Sequence, residues 1–137
     1  MTLMTASVIF CTRRIKMNAK ILPLPLMYNL FLDDIRNVKM VYPEREETDF
    51  VIVRDFKSFV KTILEKGLPE YISFDNDLGL LLNGELAPDG YACAKWLVNE
   101  SGLDLRNLKF YVHSANPVAK VQIESLLNNY ITHLKAN

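Results

Sequence analysis

Cysteine is nearly missing from this chain. Cys11 and Cys93 are the only two. They form no CxxC pair and fall in no metal-ligand spacing, which argues against a disulfide scaffold and for a reducing, cytoplasmic compartment. Surplus charge is missing as well. Sixteen Lys and Arg balance sixteen Asp and Glu, so no global field draws the chain onto a membrane surface or a long nucleic-acid duplex. The early apolar stretch MTASVIF is too short to span a bilayer, and its positive charges follow the apolar run instead of preceding it, which is poor signal-peptide grammar. Acidic residues are absent until Asp33, while Arg13, Arg14, Lys16 and Lys20 stand unopposed. Residues 1–26 therefore read as an extension, either an accessory strand or a disordered arm, and residues 27–137 as the domain. No internal repeat or low-complexity tract appears. What is present is an ordinary apolar fraction, 50% of 137 residues, enough for one domain with a real core.

Strand-like and helix-like segments alternate through that domain. YNLFL (28–32) is a short apolar run ended by Asp33 and Asp34, and FVIVR (50–54) is rich in β-branched residues. Asp55 then caps a helix with Phe56, Phe59, Val60, Ile63 and Leu64 on one face and Gly67 and Pro69 as stop signals. YISF (71–74) is the third strand. A helix from about Gly90 to Ser101 follows, with Asp89 as its cap, and LKFYVHS (108–114) is the fourth strand. Asn116 and Pro117 open a last helix. Between the first two strands, IRNVKMVYPEREETD carries a proline and an acidic run, so a short helix or an irregular loop is expected there. This alternation predicts an α/β fold: an open, doubly wound, mainly parallel sheet of about four strands in the order 2-1-3-4.

Ligands of such sheets bind outside the carboxyl ends of the strands, where the strand order reverses. Three strands here end in polar chemistry at that edge: Asp33-Asp34-Ile35-Arg36, Asp75-Asn76-Asp77 and His113-Ser114-Ala115-Asn116. Converging carboxylates repel one another unless a cation neutralises them, and hard oxygen ligands suit Mg²⁺ or Mn²⁺. The N-terminus of the last helix offers a phosphate seat, Arg36 can fork onto phosphate oxygens, and His113 can give or take a proton near pH 7. Ordinary alternatives exist for each: aspartates that form turns, a strand histidine that is merely hydrogen-bonded, and Ser114 and Asn116 as helix caps. DNDLGLLLNGEL starts like a calcium loop but has Leu80 and Leu86 where glycine and glutamate are required. FDNDLG echoes the nucleophile motif of haloacid-dehalogenase-type phosphatases, yet it follows the third strand instead of the first.

LFLDDIRN (30–37), ISFDNDLG (72–79), DGYACAKWLV (89–98) and VHSANPV (112–118), in that order, resemble the cyclic-phosphate processing receiver domain, over roughly Met27 to Tyr130. The resemblance implies a receiver-like fold with Asp33, Asp34 and Asp75 around Mg²⁺, and with Ser114 at the place of the receiver Ser/Thr. Four departures stand out: no fifth strand bearing the receiver lysine, Asn76 where members often have His, Ala119-Lys120 where they often have Gly-Arg, and Val38 where a proline is common. The expected activity is a Mg²⁺- or Mn²⁺-dependent phosphoesterase acting on 2′,3′-cyclic phosphates of nucleotides or RNA ends, in a monomer or weak dimer. Asp33, Asp34 and Asp75 would hold the metal, Asp75, His113 and Asp77 would carry the chemistry, and Arg36, Asn76, Ser114, Asn116 and Lys120 would hold the substrate. The alternatives are a phosphoaccepting signalling receiver and a non-catalytic module that binds nucleotides or proteins.

Overall fold

The computed structural model describes residues 27–137, so the expected N-terminal extension and Cys11 lie outside it. Four short strands form one parallel sheet: β1 (Asn29–Leu32), β2 (Val51–Val53), β3 (Tyr71–Phe74) and β4 (Lys109–Val112), ordered β2-β1-β3-β4. This is the expected order 2-1-3-4. The segment between β1 and β2 folds into a single-turn helix α1 (Val38–Val41) and a 3₁₀ turn at Glu47–Asp49. The longer helices are α2 (Phe56–Lys66), α3 (Gly90–Asn99) and α4 (Pro117–Ala136).

Chain handedness decides which face each helix covers. The step from β1 to β2 runs one way across the sheet, and the steps from β2 to β3 and from β3 to β4 run the other way. Right-handed crossovers therefore put α1 on one face and α2 and α3 on the opposite face. The core follows this division. Leu30, Leu32, Ile72, Phe74 and Val112 pack with Phe59 and Ile63 of α2, Cys93 and Leu97 of α3, and Ile123 and Leu127 of α4. Phe31, Val38 and Phe50, with Tyr42, Ile52 and Tyr71 against them, form a much smaller cluster beneath α1.

The register places the site. Leu32 pairs with Val53 and Phe74, and Phe74 pairs with Val112, so the four strands end level. The ladder runs one residue further: the amides of Asp33, Asp75 and His113 donate to Val53, Leu32 and Phe74 carbonyls at 3.2, 2.9 and 2.8 Å. Side chains alternate along a strand, and Leu32, Phe74 and Val112 face the three long helices. Asp33, Asp75 and His113 therefore turn to the α1 face, above Phe31, Ser73 and Tyr111. Among the described residues no helix is long and apolar enough to cross a membrane.

Candidate functional site

Asp33 is the centre of the cluster and has no exposure. Its Oδ1 accepts from the Ile35 and Arg36 amides at 3.0 and 2.8 Å, and its Oδ2 accepts from Arg36 Nη1 at 3.1 Å and faces His113 Nε2 at 2.9 Å. A carboxylate offers about four acceptor positions, and the protein fills all of them. The loop that supplies the amides is pinned by Arg54, one residue past β2, whose Nη1 donates to the Asp33 and Arg36 carbonyls. Burial alone would raise the Asp33 pKa, but the two amides and His113 outweigh it and hold the carboxyl below its ordinary value.

Asp75 sits on the neighbouring strand with its side chain 8% exposed, 3.9 Å from Arg36 Nη1. Its pKa is pushed up to about 6, by burial first and then by the Asp33 charge, with the Asn76 amide and Arg36 opposing. Arg36 thus lies between two carboxylates that titrate in different ranges. The Asp33 and Asp75 carboxylates and the His113 ring each offer one ligand atom, all within 4.8 Å of one another, so this buried group can hold a metal ion.

His113 is locked from both sides. Its ring stacks on Phe31 at 4.9 Å and 8°, and its side chain is 2% exposed. Burial holds the imidazole pKa below its ordinary value against the pull of the Asp33 carboxylate, which favours the neutral ring. An ionised carboxylate only accepts, so Nε2 carries the ring proton toward Asp33. Nδ1 must then accept, and it lies 2.7 Å from Ser73 Oγ. With the Ser73 proton used there, Tyr42 donates to Ser73 at 2.8 Å and Tyr71 donates to Tyr42 at 2.9 Å. One carboxylate fixes the direction of four hydrogen bonds.

The other expected residues lie around this cluster. Asp34 is half-buried, its Oδ2 3.3 Å from the point where a Cβ on Gly79 would stand, and it is outside the three-ligand group. Asn76 is buried and turns to α3, its Oδ1 accepting from the Tyr91 amide at 3.1 Å and its carbonyl accepting from the Gly90 amide at 2.8 Å. Asp77 is exposed and accepts from Asn76 Nδ2. Ser114 Oγ accepts from the Asn116 amide, which leaves its hydroxyl free to donate. Asn116 caps α4 and takes the Val118 and Ala119 amides with Oδ1. Lys120 Nζ rests 5.0 Å from the centre of the Tyr111 ring. Sequence reasoning missed Ser73, Tyr42 and Arg54. Ser73 carried a signal, being the polar residue that shares strand parity with Asp75.

A family model described as the cyclic-phosphate processing receiver domain matches residues 28–129. The chain belongs to this family. The matched span begins at β1 and ends within α4, so all three residues of the buried group fall inside this receiver domain. Searches of curated proteins and of solved structures gave no significant match.

Proposed function

We propose that this receiver domain opens 2′,3′-cyclic phosphates on nucleotides or RNA ends as a metal-dependent phosphoesterase. The observation that carries the reading is the buried Asp33, Asp75 and His113 group in a chain of this family. Two carboxylates and one imidazole suit Mn²⁺ and its first-row neighbours as well as Mg²⁺. A bound cation supplies positive charge against the phosphate oxygens. Asp75, 3.9 Å from Arg36 Nη1, takes the proton of the attacking water and returns it to the ribose oxygen released when the P–O bond breaks. Arg36 keeps further N–H groups to grip the phosphate, and Ser114, Asn116 and Lys120 supply further polar contacts to the substrate. Asp77 stands exposed beyond Asn76 as a further base or ligand. In the metal-free protein His113 Nε2 faces Asp33 and positions that carboxylate.

The test is a purified chain incubated with Mg²⁺ or Mn²⁺ and a short RNA ending in a 2′,3′-cyclic phosphate. A phosphomonoester end should form, and Asp75→Asn should slow it by about a hundredfold or more. No product with either ion, or full turnover in Asp75→Asn, refutes the reading. One observation favours a second reading, a module that binds nucleotides without turnover: the protein itself fills every acceptor position of Asp33. Calorimetry showing tight nucleotide binding with no product would select it.

A further inference from the structure

Behind His113 three hydroxyls are arranged in series. Ser73 Oγ, Tyr42 Oη and Tyr71 Oη stand 2.7, 2.8 and 2.9 Å apart in turn, counting from His113 Nδ1. Each hydroxyl can donate in one direction along such a chain and accept from the other, so all the bonds can reverse together without leaving a group unpaired. Reversal also matters for the ligand set. With its proton on Nε2, His113 has no lone pair facing the carboxylates, whereas with its proton on Nδ1 it does, and only a neutral ring nitrogen with a free lone pair can bind a cation.

We infer that Ser73, Tyr42 and Tyr71 form a reversible hydroxyl chain that sets which nitrogen of His113 carries the proton: Nε2 in the metal-free protein, Nδ1 when a divalent cation occupies the Asp33 and Asp75 group. The second half rests on the proposed metal-dependent reading. In the exchange, Nε2 releases its proton to water at the mouth of the site. Nδ1 takes the Ser73 proton, Ser73 takes that of Tyr42, Tyr42 takes that of Tyr71, and water reprotonates Tyr71. No residue changes charge. Ser73 and Tyr42 are thus positioning residues that act through His113. The histidine ring is presented to the site by hydrogen bonds that also tell a metal ligand where its own proton goes, as outer partners of ligating histidines do elsewhere.

The chain has only two histidines, His113 and His133, so ring nitrogens can be assigned by comparing the ¹⁵N-labelled full chain with its His133→Gln variant. Long-range ¹H–¹⁵N spectra at pH 7.5 should show a protonated Nε2 and an unprotonated Nδ1. Zn²⁺, a diamagnetic probe that favours imidazole, should invert that pattern. Ser73→Ala should keep the metal-free tautomer but raise the Zn²⁺ dissociation constant about tenfold, since Nδ1–H would have no acceptor. Tyr42→Phe, which removes one oxygen from a half-buried ring, should weaken Zn²⁺ binding less, and Ser73→Thr should restore it. A proton on Nδ1 without metal, a tautomer unmoved by saturating Zn²⁺, no Zn²⁺ binding, or Zn²⁺ affinity equal in wild type and Ser73→Ala each overturns the inference. None of these spectra depends on turnover, so failure of the cyclic-phosphate reaction is a separate outcome.

Discussion

Asp75 gives this protein an unusual pH response. Its folded pKa of about 6 lies above the ordinary value of 3.8, so the folded chain holds that proton more tightly than the unfolded chain. The resulting stability is fully present below about pH 4 and is lost as pH rises through 6. Asp75→Asn should therefore stabilise the metal-free protein at pH 8, by at most about 3 kcal/mol at 1.36 kcal/mol per pKa unit, and give no gain at pH 4. Denaturant titrations at both values check this, and a loss at pH 8 would contradict it. Arg36 makes the converse case. Arg36→Met leaves Asp33 without its ion-pair partner, and because Arg36 is 32% exposed the cost should be about 1–2 kcal/mol, below that of a fully buried pair. Added Mn²⁺ should raise the melting temperature of Arg36→Met more than that of the wild type, because the cation no longer competes with a guanidinium. Asp33, Asp75 and His113 were legible in the sequence because each follows a strand by one residue and so shares a face. Tyr42 was not, because its bond to Ser73 spans 31 residues and depends on how α1 packs.

Between elements, the fit is tight where β3 hands over to α3. A Cβ on Gly90 would collide with the Asp75 carbonyl oxygen, and the Gly90 amide is bonded to the Asn76 carbonyl. Gly90→Ala should therefore force β3 and α3 apart, at about 3 kcal/mol, and displace Asp75 as it does so. Equilibrium unfolding gives the first number, and an upward or downward move of the Asp75 titration midpoint reports the second. Asn76 belongs to the same junction, where its Oδ1 accepts from the Tyr91 amide of α3. The sequence made the elements readable wherever periodicity was long: α2, α3 and α4 begin at the expected caps Asp55, Asp89 and Asn116. It left the stretch after Gly79 as loop, where Leu80 and Leu86 pair in an antiparallel bridge. A single bridge has no period to detect.

At the scale of the whole molecule the two faces of the sheet are unequal. Three long helices cover one, and within residues 27–137 a single turn and a loop cover the other, where the site lies. The smaller face depends on Phe50, against which Tyr42 stacks at 5.5 Å and 17°. Phe50→Ala should cost about 3–4 kcal/mol and, unlike an equally costly Leu127→Ala, should also shift the His113 ring resonances, because Tyr42 loses its support. Strand order and the placement of helices followed from handedness and were legible; the thin face was less so, since its cover comes from the proline-containing segment with no regular pattern. The level ends of the four strands have a consequence for descent. A site built on the first residue past a strand keeps its three ligands in place when a connection changes length beyond the turns that support them, the Asp33–Arg36 turn, the Tyr42 segment and the Asn76–Gly90 junction. One residue gained inside β1 or β3 would turn a carboxylate to the opposite face. Ancestry is thus free to rewrite the loops outside those supporting turns, while the lengths of the strands that carry the ligands are inherited or the site is lost.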